Sequence, residues 1–345
     1  MKRIILSISA LTLLLTSCSS DEEGMATAPV APPVTTTTPE LKLVTTSNTT
    51  GKVSYINLLE SSPVAKSLTI NGADADGAYF NSTTDELMLA SRTNNTLQLY
   101  KGLNSSVANN MDALLLQSST GNTDFNNPRE IAVFGDKVVV TQDQNAANGN
   151  TNKLIVYQKT SSGFTLLNSY TVNFKTWGIH IEGNTLYAVA DLASDLLVFD
   201  NFFSNPNGSI LPTKRVTIEG LVRTHGITFS TVDNRMVLTD VGSATSDSDG
   251  GIIVINDFSS KIAATPNMGT IAMTSQVRIY GPNSTLGNPV DVAYDSVTDR
   301  IYIAERLNAG GKVLTFTLPT STSDAMPLNS RTEAGVSSVY LVRKQ

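Results

Sequence analysis

The stretch NPVDVAYDSVTDRIYIAE, Asn288 to Glu305, contains two short runs rich in β-branched and aromatic residues on either side of a polar segment. Residues of these types favour strands, and neither run shows a helical period, so both runs are predicted to be strands. The Asp, Ser and Thr residues between the runs are typical of turns. The stretch therefore predicts a β-hairpin.

The same unit recurs along the chain. It has a small residue or proline, a strand, a polar turn, a second strand ending in a polar residue, a loop rich in Asn and Gly, and a third strand. Five copies have their aligned positions 48 to 65 residues apart, at Ala78, Ile131, Ile179, Ile227 and Val292. Such a period indicates a repeat architecture in which each unit buries its faces against its neighbours.

A sixth copy is divided between the two ends of the chain. GVSSVYLV, from Gly335, supplies its first strand, and LKLVTTSNTTGKVSYINL, from Leu41, supplies its second and third strands. This division lets the last sheet join the first and removes exposed sheet edges. The sequence thus predicts an all-β fold, a six-bladed β-propeller of four-stranded blades, closed by pairing of the C-terminal innermost strand with the N-terminal strands.

Units such as NPVDVAYDSVTDRIYIAE resemble the NHL and YVTN-type repeats of six- and seven-bladed propellers. The resemblance covers residues 41–345 and implies the propeller fold. Enzymes and binding proteins share these repeats, so the fold does not name the function.

The N-terminal segment has the features of an export signal. Lys2 and Arg3 precede an apolar run of about a dozen residues, which is too short to span a bilayer as a helix. LTSC, residues 15–18, resembles a bacterial lipobox. The resemblance implies that residues 1–17 are a signal peptide and that Cys18, the sole cysteine, is acylated and attaches the chain to a membrane.

SSDEE, residues 19–23, resembles the surface-export signal of lipoproteins from the Bacteroidetes. The resemblance implies a lipid-anchored outer-membrane protein exposed at the cell surface; the alternative is that these acids begin a solvated linker. Residues 18–40 are rich in Pro, Thr and Ala and are predicted to form an extended tether. Residues 41–345 are predicted to form the propeller.

The charge of the chain limits its partners. The net charge is −6, and no cluster of Lys and Arg follows Arg3. This pattern lacks the basic footprint of a nucleic-acid-binding protein, so we expect a protein or glycan ligand instead. The sequence does not indicate the oligomeric state.

Two aligned positions fall where the innermost strands begin, on the face at which the propeller channel opens, here called the mouth. The first mouth position is occupied by Asp76, Arg129, Trp177, His225, Val290 and Ser337, and the second by Gly77, Glu130, Gly178, Gly226, Asp291 and Ser338. A position fixed by backbone geometry alone would repeat one small residue, so this variety predicts a site. The alternative is that these side chains pair with one another and line a wet channel.

The residue types at the mouth suggest roles. Arg129 suits a carboxylate or phosphate, Trp177 suits a sugar or aromatic ring, and His225 is the acid–base candidate. Three acids are candidate ligands for a hard cation such as calcium, namely Asp76, Glu130 and Asp291.

A third aligned position lies at the end of each second strand and is occupied by Arg92, Asp143, Asp191, Asp240, Glu305 and Ser47. The acids there favour a structural role, because such side chains accept hydrogen bonds from the backbone of their own loop. Arg92 and Glu305 are also candidates for ligand contact at the mouth. His180 falls inside an innermost strand and is predicted to be a packing residue.

Two functions fit this pattern. The first is a surface lipoprotein whose propeller is a non-catalytic binding or scaffold module for a protein or glycan. The second, suggested by a resemblance to gluconolactonase-like propellers, is a lactonase or sugar-acid hydrolase that depends on a divalent cation. In that enzyme Glu130, Asp291 and Asp76 would bind the metal, and His225 would carry the proton. Convergence of Glu130 and Asp291 favours the enzyme; their separation, or ion pairs with Arg129, favours binding.

Overall fold

The computed structural model describes residues 38–121 and 123–345. The predicted signal peptide, the predicted lipidation site Cys18 and nearly all of the predicted tether lie outside the described residues. The first strand begins at Glu40, one residue before the predicted start of the propeller. Within the described part of the chain, no helix is long and apolar enough to cross a membrane.

Strands dominate the described chain. The first seven are β1 (Glu40–Ser47), β2 (Lys52–Asn57), β3 (Lys66–Thr69), β4 (Ala75–Asn81), β5 (Glu86–Ser91), β6 (Thr96–Lys101) and β7 (Leu115–Thr120). The next nine are β8 (Pro128–Phe134), β9 (Lys137–Gln142), β10 (Asn152–Lys159), β11 (Phe164–Val172), β12 (Thr176–Glu182), β13 (Thr185–Ala190), β14 (Asp195–Phe199), β15 (Gly208–Ser209) and β16 (Lys214–Ile218).

The remaining strands are β17 (Thr224–Ser230), β18 (Arg235–Asp240), β19 (Gly251–Ile255), β20 (Thr270–Ile271), β21 (Val277–Tyr280), β22 (Pro289–Asp295), β23 (Arg300–Glu305), β24 (Lys312–Thr317), β25 (Asn329–Thr332) and β26 (Val336–Lys344). Two short helices, α1 (Leu103–Ala108) and α2 (Phe258–Ala264), lie in loops. Single 3₁₀ turns occur at Ala146–Asn148, Phe202–Ser204, Met273–Ser275, Pro282–Ser284 and Asn308–Gly310.

The strands of residues 38–121 and 123–345 form six sheets, the blades of a six-bladed β-propeller. Blade 1 contains β26, β1, β2 and β3, and blade 2 contains β4 to β7. Blade 3 contains β8 to β11 with β15, and blade 4 contains β12, β13, β14, β16 and β20. Blade 5 contains β17, β18, β19 and β21, and blade 6 contains β22 to β25.

The prediction of four strands in every blade is wrong for blades 3 and 4. The two-residue strand β15 lies between two strands of blade 4 but pairs in parallel with β11, and β20 likewise leaves blade 5 to pair with β16. A loop of the following blade thus covers the outer edge of the preceding one. Covering an edge in this way removes unpaired backbone groups that would otherwise invite association.

The ring closes through blade 1. β26 pairs antiparallel with β1, with Leu341 opposite Leu43 and Tyr340 opposite Val44. The last strand of the chain is therefore the innermost strand of the blade that begins the chain, as the split sixth repeat predicts.

The core lies between the blades, as β23 illustrates. Ile301 and Ile303 pack with residues of blade 5, whereas Tyr302 and Ala304 on the other face of the strand pack with residues of blade 1. Both faces are buried, so apolar residues occur at consecutive positions and not only at alternate ones.

Candidate functional site at the channel mouth

Each innermost strand carries a β-bulge at its mouth end. The irregularities lie at Asp76/Ala78, Pro128/Ile131, Thr176/Ile179, Thr224/Ile227, Pro289/Asp291 and, in blade 1, at Thr46/Ser47 opposite β26. A bulge bends the strand and changes the direction of its side chains. The two predicted mouth positions lie in these bulges, so the structure brings them into one ring.

Close packing explains the glycines at the second mouth position. A Cβ atom on Gly178 would lie 2.0 Å from the carbonyl oxygen of His225, and one on Gly226 would lie 2.8 Å from the Cα atom of Asp291. Neighbouring innermost strands therefore approach too closely for a side chain. These glycines serve packing rather than ligand binding.

Three residues of the first mouth position form a stack across neighbouring blades. Trp177 and His225 lie parallel, with ring centroids 3.5 Å apart, and the guanidinium of Arg129 lies 4.1 Å from the centroid of the Trp177 ring. Arg129 and His225 come from the blades on either side of Trp177, so they cover opposite faces of the indole. Trp177 is only 6% exposed, so neither face is free to stack on a sugar ring.

The polar edge of His225 is held by a carboxylate. Its Nε2 atom lies 3.0 Å from Asp191 Oδ1, and its Nδ1 atom is buried without a hydrogen-bond partner among the described residues. Burial lowers the pKa of His225 to about 4, against the raising effect of Asp191. His225 is therefore neutral at pH 7 and 1% exposed, a poor position for a proton carrier.

Ion pairs connect the rims of blades 3, 4 and 5. Arg129 Nη2 lies 3.0 Å from Asp143 Oδ2, Lys175 Nζ lies 2.6 Å from Asp191 Oδ2, and Arg223 Nε lies 2.5 Å from Asp191 Oδ1. Burial raises the pKa of Asp191, but hydrogen bonds from His225, Arg223 and Lys175 outweigh burial and hold the pKa well below its usual range. The guanidinium fork of Arg129, predicted to hold a ligand, is directed at Asp143.

Asp76 lies between two arginines. Its Oδ2 atom is 3.8 Å from Arg129 Nη1 and 3.9 Å from Arg92 Nη1. Arg92 in turn pairs with Asp74 at 3.1 Å and donates to the side chain of Asn127. Burial raises the pKa of Asp76 to about 7, and the two arginines oppose this rise. Asp76, Arg92 and Arg129 thus interact with one another and with neighbouring side chains, as the alternative of a wet channel lined by paired charges predicts.

Glu130 and Asp291 occupy the second mouth position on blades 3 and 6, which are opposite in the ring. Glu130 Oε1 accepts a hydrogen bond from the amide of Ile131, and Asp291 accepts from the amides of Val292 and Val339. Neither acid pairs with Arg129.

Their surroundings favour the neutral carboxyl. Burial, followed by the charge of Asp291, raises the pKa of Glu130 well above its usual range. Burial also raises the pKa of Asp291 to about 7, although its two backbone hydrogen bonds oppose the rise.

The three predicted metal ligands have different surroundings. Asp76 faces the arginines, whereas Glu130 and Asp291 accept hydrogen bonds from backbone amides. Among residues 38–121 and 123–345, no three or more Asp, Glu, His or Cys side chains are grouped so as to hold a metal ion. These donor positions therefore fit a calcium ion poorly.

Two acids at the ends of second strands hold loops. Glu305 is fully buried and accepts hydrogen bonds from the backbone amides of Gly287, Asn288, Leu307 and Asn308. Asp240 accepts from the amides of Val222, Arg223 and Gly242. This geometry matches the structural role that the sequence favours for the acids, and it leaves Glu305 a poor candidate for ligand contact.

Arg306 is the functional candidate that sequence reasoning missed. Its guanidinium is partly exposed at the mouth and forms no hydrogen bond or ion pair with any described residue. Burial lowers its pKa, as do the positive charges of Arg129, Arg92 and Arg223, while Asp76 opposes them. Arg306 thus lies among the paired arginines as a cation without a partner of its own.

Lys175 and Arg223 were also missed, although the alignment contains a signal for them. Each lies two residues before the first mouth position of its blade, where the ring as a whole has Asp74, Asn127, Lys175, Arg223, Asn288 and Gly335. Four of these six residues contact charged side chains at the mouth through their own side chains. This column can be read from the sequence once the blades are aligned.

An apolar residue adjoins the ion pairs. Leu192 follows Asp191, is 66% exposed and has φ of +62°. Val222, which precedes Arg223, is 64% exposed. Leu192 and Val222 are thus neighbours in sequence of Asp191 and Arg223, which form one ion pair. A left-handed conformation is unfavourable for a leucine; it occurs here at the third position of a turn in which the amide of Ala193 donates to the carbonyl of Ala190.

Comparisons with known proteins show the fold. No protein-family model matches the chain, and no curated protein matches it. A solved nidogen/laminin complex contains a chain with a TM-score of 0.60 and 12% identity, covering 87% of this chain and 98% of that one. A protein of unknown function from Bacteroides caccae has a TM-score of 0.57 and 9% identity, covering 88% of this chain and all of that one. Likeness at this identity concerns architecture, and the protein is a six-bladed β-propeller.

Proposed function

We propose that the propeller is a non-catalytic binding module that presents its mouth to a protein partner. The observation that carries this proposal is Leu192, an exposed leucine in a strained left-handed conformation on the rim. Backbone strain at an exposed apolar residue is a pointer to function. Burial of Leu192 and Val222 under a partner would give these apolar side chains the contact that they lack.

Arg306 supports the same proposal. Interface hot spots are enriched in arginine and cluster around desolvated apolar contacts. A partly buried guanidinium without an acceptor can gain a charge-assisted hydrogen bond from a partner. The ion pairs of Asp191 and Asp143 hold the surrounding rim in place before binding, which lowers the ordering cost of association.

A protein partner is favoured over a glycan because of Trp177. Sugar rings are commonly bound against an open aromatic face, but Arg129 and His225 cover both faces of this indole. The nidogen/laminin complex adds support, since a propeller of similar fold occurs there in a complex between proteins.

The hydrolase is the weaker candidate. Its proton carrier would be His225, which is buried, neutral and stacked against Trp177. Its metal ligands would be Asp76, which faces two arginines, and Glu130 and Asp291, which accept hydrogen bonds from backbone amides.

The proposal includes attachment through Cys18 to the outer membrane, with the propeller facing outward. The LTSC and SSDEE stretches support this part. Labelling of cells with an alkyne fatty acid would test it, since Cys18→Ala should abolish incorporation into the full chain. Incorporation that persists in this variant would contradict the anchor.

Site-specific photo-cross-linking in intact cells tests the partner. A photoreactive residue replaces Leu192 on the mouth rim or, as a matched control, Phe134 at the far end of β8, which is 42% exposed. We expect a cross-linked product of defined mass from position 192 and none from position 134. Equal products from both positions, or a product from position 134 alone, would contradict the use of the mouth.

A further inference from the structure

A cavity of about 320 Å³ runs along the innermost strands. Glu130 and Asp291 lie among its lining residues at the mouth end and are buried, whereas Tyr79, Tyr294 and Tyr340 line its other end and are partly exposed. The cavity is therefore most accessible from the face opposite the mouth. Its volume is in the range of small-molecule sites.

The walls between these ends are mainly aliphatic. They include Ile131, Ile179, Ile181, Ile227, Val292 and Val339, supplied by five of the six blades. An apolar wall of this kind favours an apolar ligand body, which gains free energy by leaving water.

The polar groups of the cavity are unevenly balanced. It has two carboxyl groups at its mouth end, and none of the described residues that line it is Lys or Arg. Glu130 is 9% exposed, and its Oε2 atom has no hydrogen-bond partner among the described residues. In the wall, the buried Nε2 atom of His180 also lacks a partner within the described chain.

We propose that this cavity binds an organic amine, with its apolar body along the aliphatic walls and its ammonium group between Glu130 and Asp291. A buried carboxyl without a counter-charge is costly to ionise, and a cation held against it removes that cost. The ammonium group supplies three donors, which suit Glu130 Oε2 and a second carboxyl across the channel. His180 Nε2 is available for a further hydrogen bond.

The tyrosines at the accessible end suit the same ligand class. Tyr79 and Tyr340 have ring centroids 5.1 Å apart, and aromatic faces attract organic cations on their way into a site. An anion would meet the carboxyls and be repelled. A bare metal ion would find no oxygen ligands along the aliphatic walls. The side chains of this site are not those of the proposed protein-binding surface, which are Leu192, Val222 and Arg306, and its test does not depend on that proposal.

Isothermal titration calorimetry with the full-length chain tests the proposal with three six-carbon probes. Hexylamine should bind saturably with one site per chain. 1-Hexanol should bind at least about tenfold more weakly, and hexanoate should show no binding, because only the amine carries the complementary charge. Equal affinity for the amine and the alcohol, or no saturable binding of hexylamine, would overturn the proposal.

Two variants and a control locate the binding. Glu130→Gln keeps the hydrogen bond to the amide of Ile131 but removes the charge, so hexylamine affinity should fall at least about tenfold. Thr228→Phe should block hexylamine by filling space, since Thr228 lines the cavity. The matched control Glu182→Gln, at the exposed far end of β12 and outside the lining, should leave affinity unchanged.

Unchanged affinity in Glu130→Gln or in Thr228→Phe would overturn the site. So would displacement of hexylamine by an equal concentration of calcium chloride, because that result would indicate an inorganic cation between the acids. Circular dichroism of each variant separates loss of binding from loss of fold.

Discussion

Glu130 and Asp291 lie on opposite blades of the ring, each in the bulge of its innermost strand, and each accepts a hydrogen bond from the amide of the residue that follows it. The four other residues at this level are glycine or serine. The two acids are therefore the only long side chains that the described bulges place at this level of the channel. Their protonation affects both the fold and the cavity beneath them.

The first prediction concerns pH. The folded-state pKa of Glu130 is raised, so the stability due to its neutral carboxyl is fully present below about pH 4.5 and is lost as pH rises through the folded pKa. Glu130→Gln should lose less stability than the wild type as pH rises from about 4.5 to 8. Urea unfolding at a series of pH values measures this.

Asp76 and Asp291 each have a folded-state pKa near 7, so they too reduce the free energy of unfolding as pH rises from about 4 to 7. The variant should therefore retain part of the pH dependence. Identical slopes for the wild type and Glu130→Gln would show that Glu130 ionises normally in the folded protein.

The second prediction compares two arginines. Arg306 has no ion pair within the described chain, so Arg306→Gln should leave the unfolding midpoint unchanged or raise it. Arg223 holds Asp191, so Arg223→Gln should lower the free energy of unfolding by about 1–3 kcal/mol. Denaturant unfolding of both variants measures the contrast. Greater destabilisation by Arg306→Gln would mean that the Arg306 guanidinium has a structural partner.

The third prediction uses Trp177, the sole tryptophan. Its indole is covered on both faces, so acrylamide should quench its fluorescence weakly in the folded protein. Arg129→Gln uncovers one face and should increase the quenching constant, whereas Arg343→Gln, which breaks an ion pair with Asp295, should not. Strong quenching in the wild type would show that the indole face is open and would restore Trp177 as a stacking surface.

The fourth prediction concerns calcium. A bound ion stabilises a fold by mass action, but Asp76, Glu130 and Asp291 are not grouped so as to hold a metal ion in the described part of the chain. The thermal midpoint should therefore be the same in excess calcium and in excess chelator. A midpoint that falls on chelation and recovers with calcium, but not in Glu130→Ala, would favour the hydrolase.

The repeat of stretches such as Asn288–Glu305 predicts the blades and the closure because every copy has the same order of β-branched runs and polar turns. β15 and β20 could not be predicted in the same way. Each has only two residues, too few for a pattern, and each pairs with a strand of the preceding blade. Their pairing depends on the path of a loop.

The sequence predicts where the mouth residues lie but not which contacts their side chains make. Alignment of the repeats places Arg129, Trp177 and His225 on neighbouring blades, and their mutual stacking follows from that adjacency. The state of Arg306 could not be predicted, because its lack of a partner depends on where the carboxylates of three other blades point. Leu192 was missed because its left-handed conformation is visible only in the backbone.

The most direct test of the proposed function uses the partner protein that is cross-linked at position 192. Its binding affinity is measured for the wild-type propeller and for Leu192→Asn. Asparagine tolerates a positive φ, so the variant should fold as stably as the wild type. Its affinity for the partner should fall at least about tenfold, whereas Leu211→Asn, at a leucine that is 70% exposed in the loop between β15 and β16, should bind normally. Unchanged affinity in Leu192→Asn would contradict a protein-binding mouth.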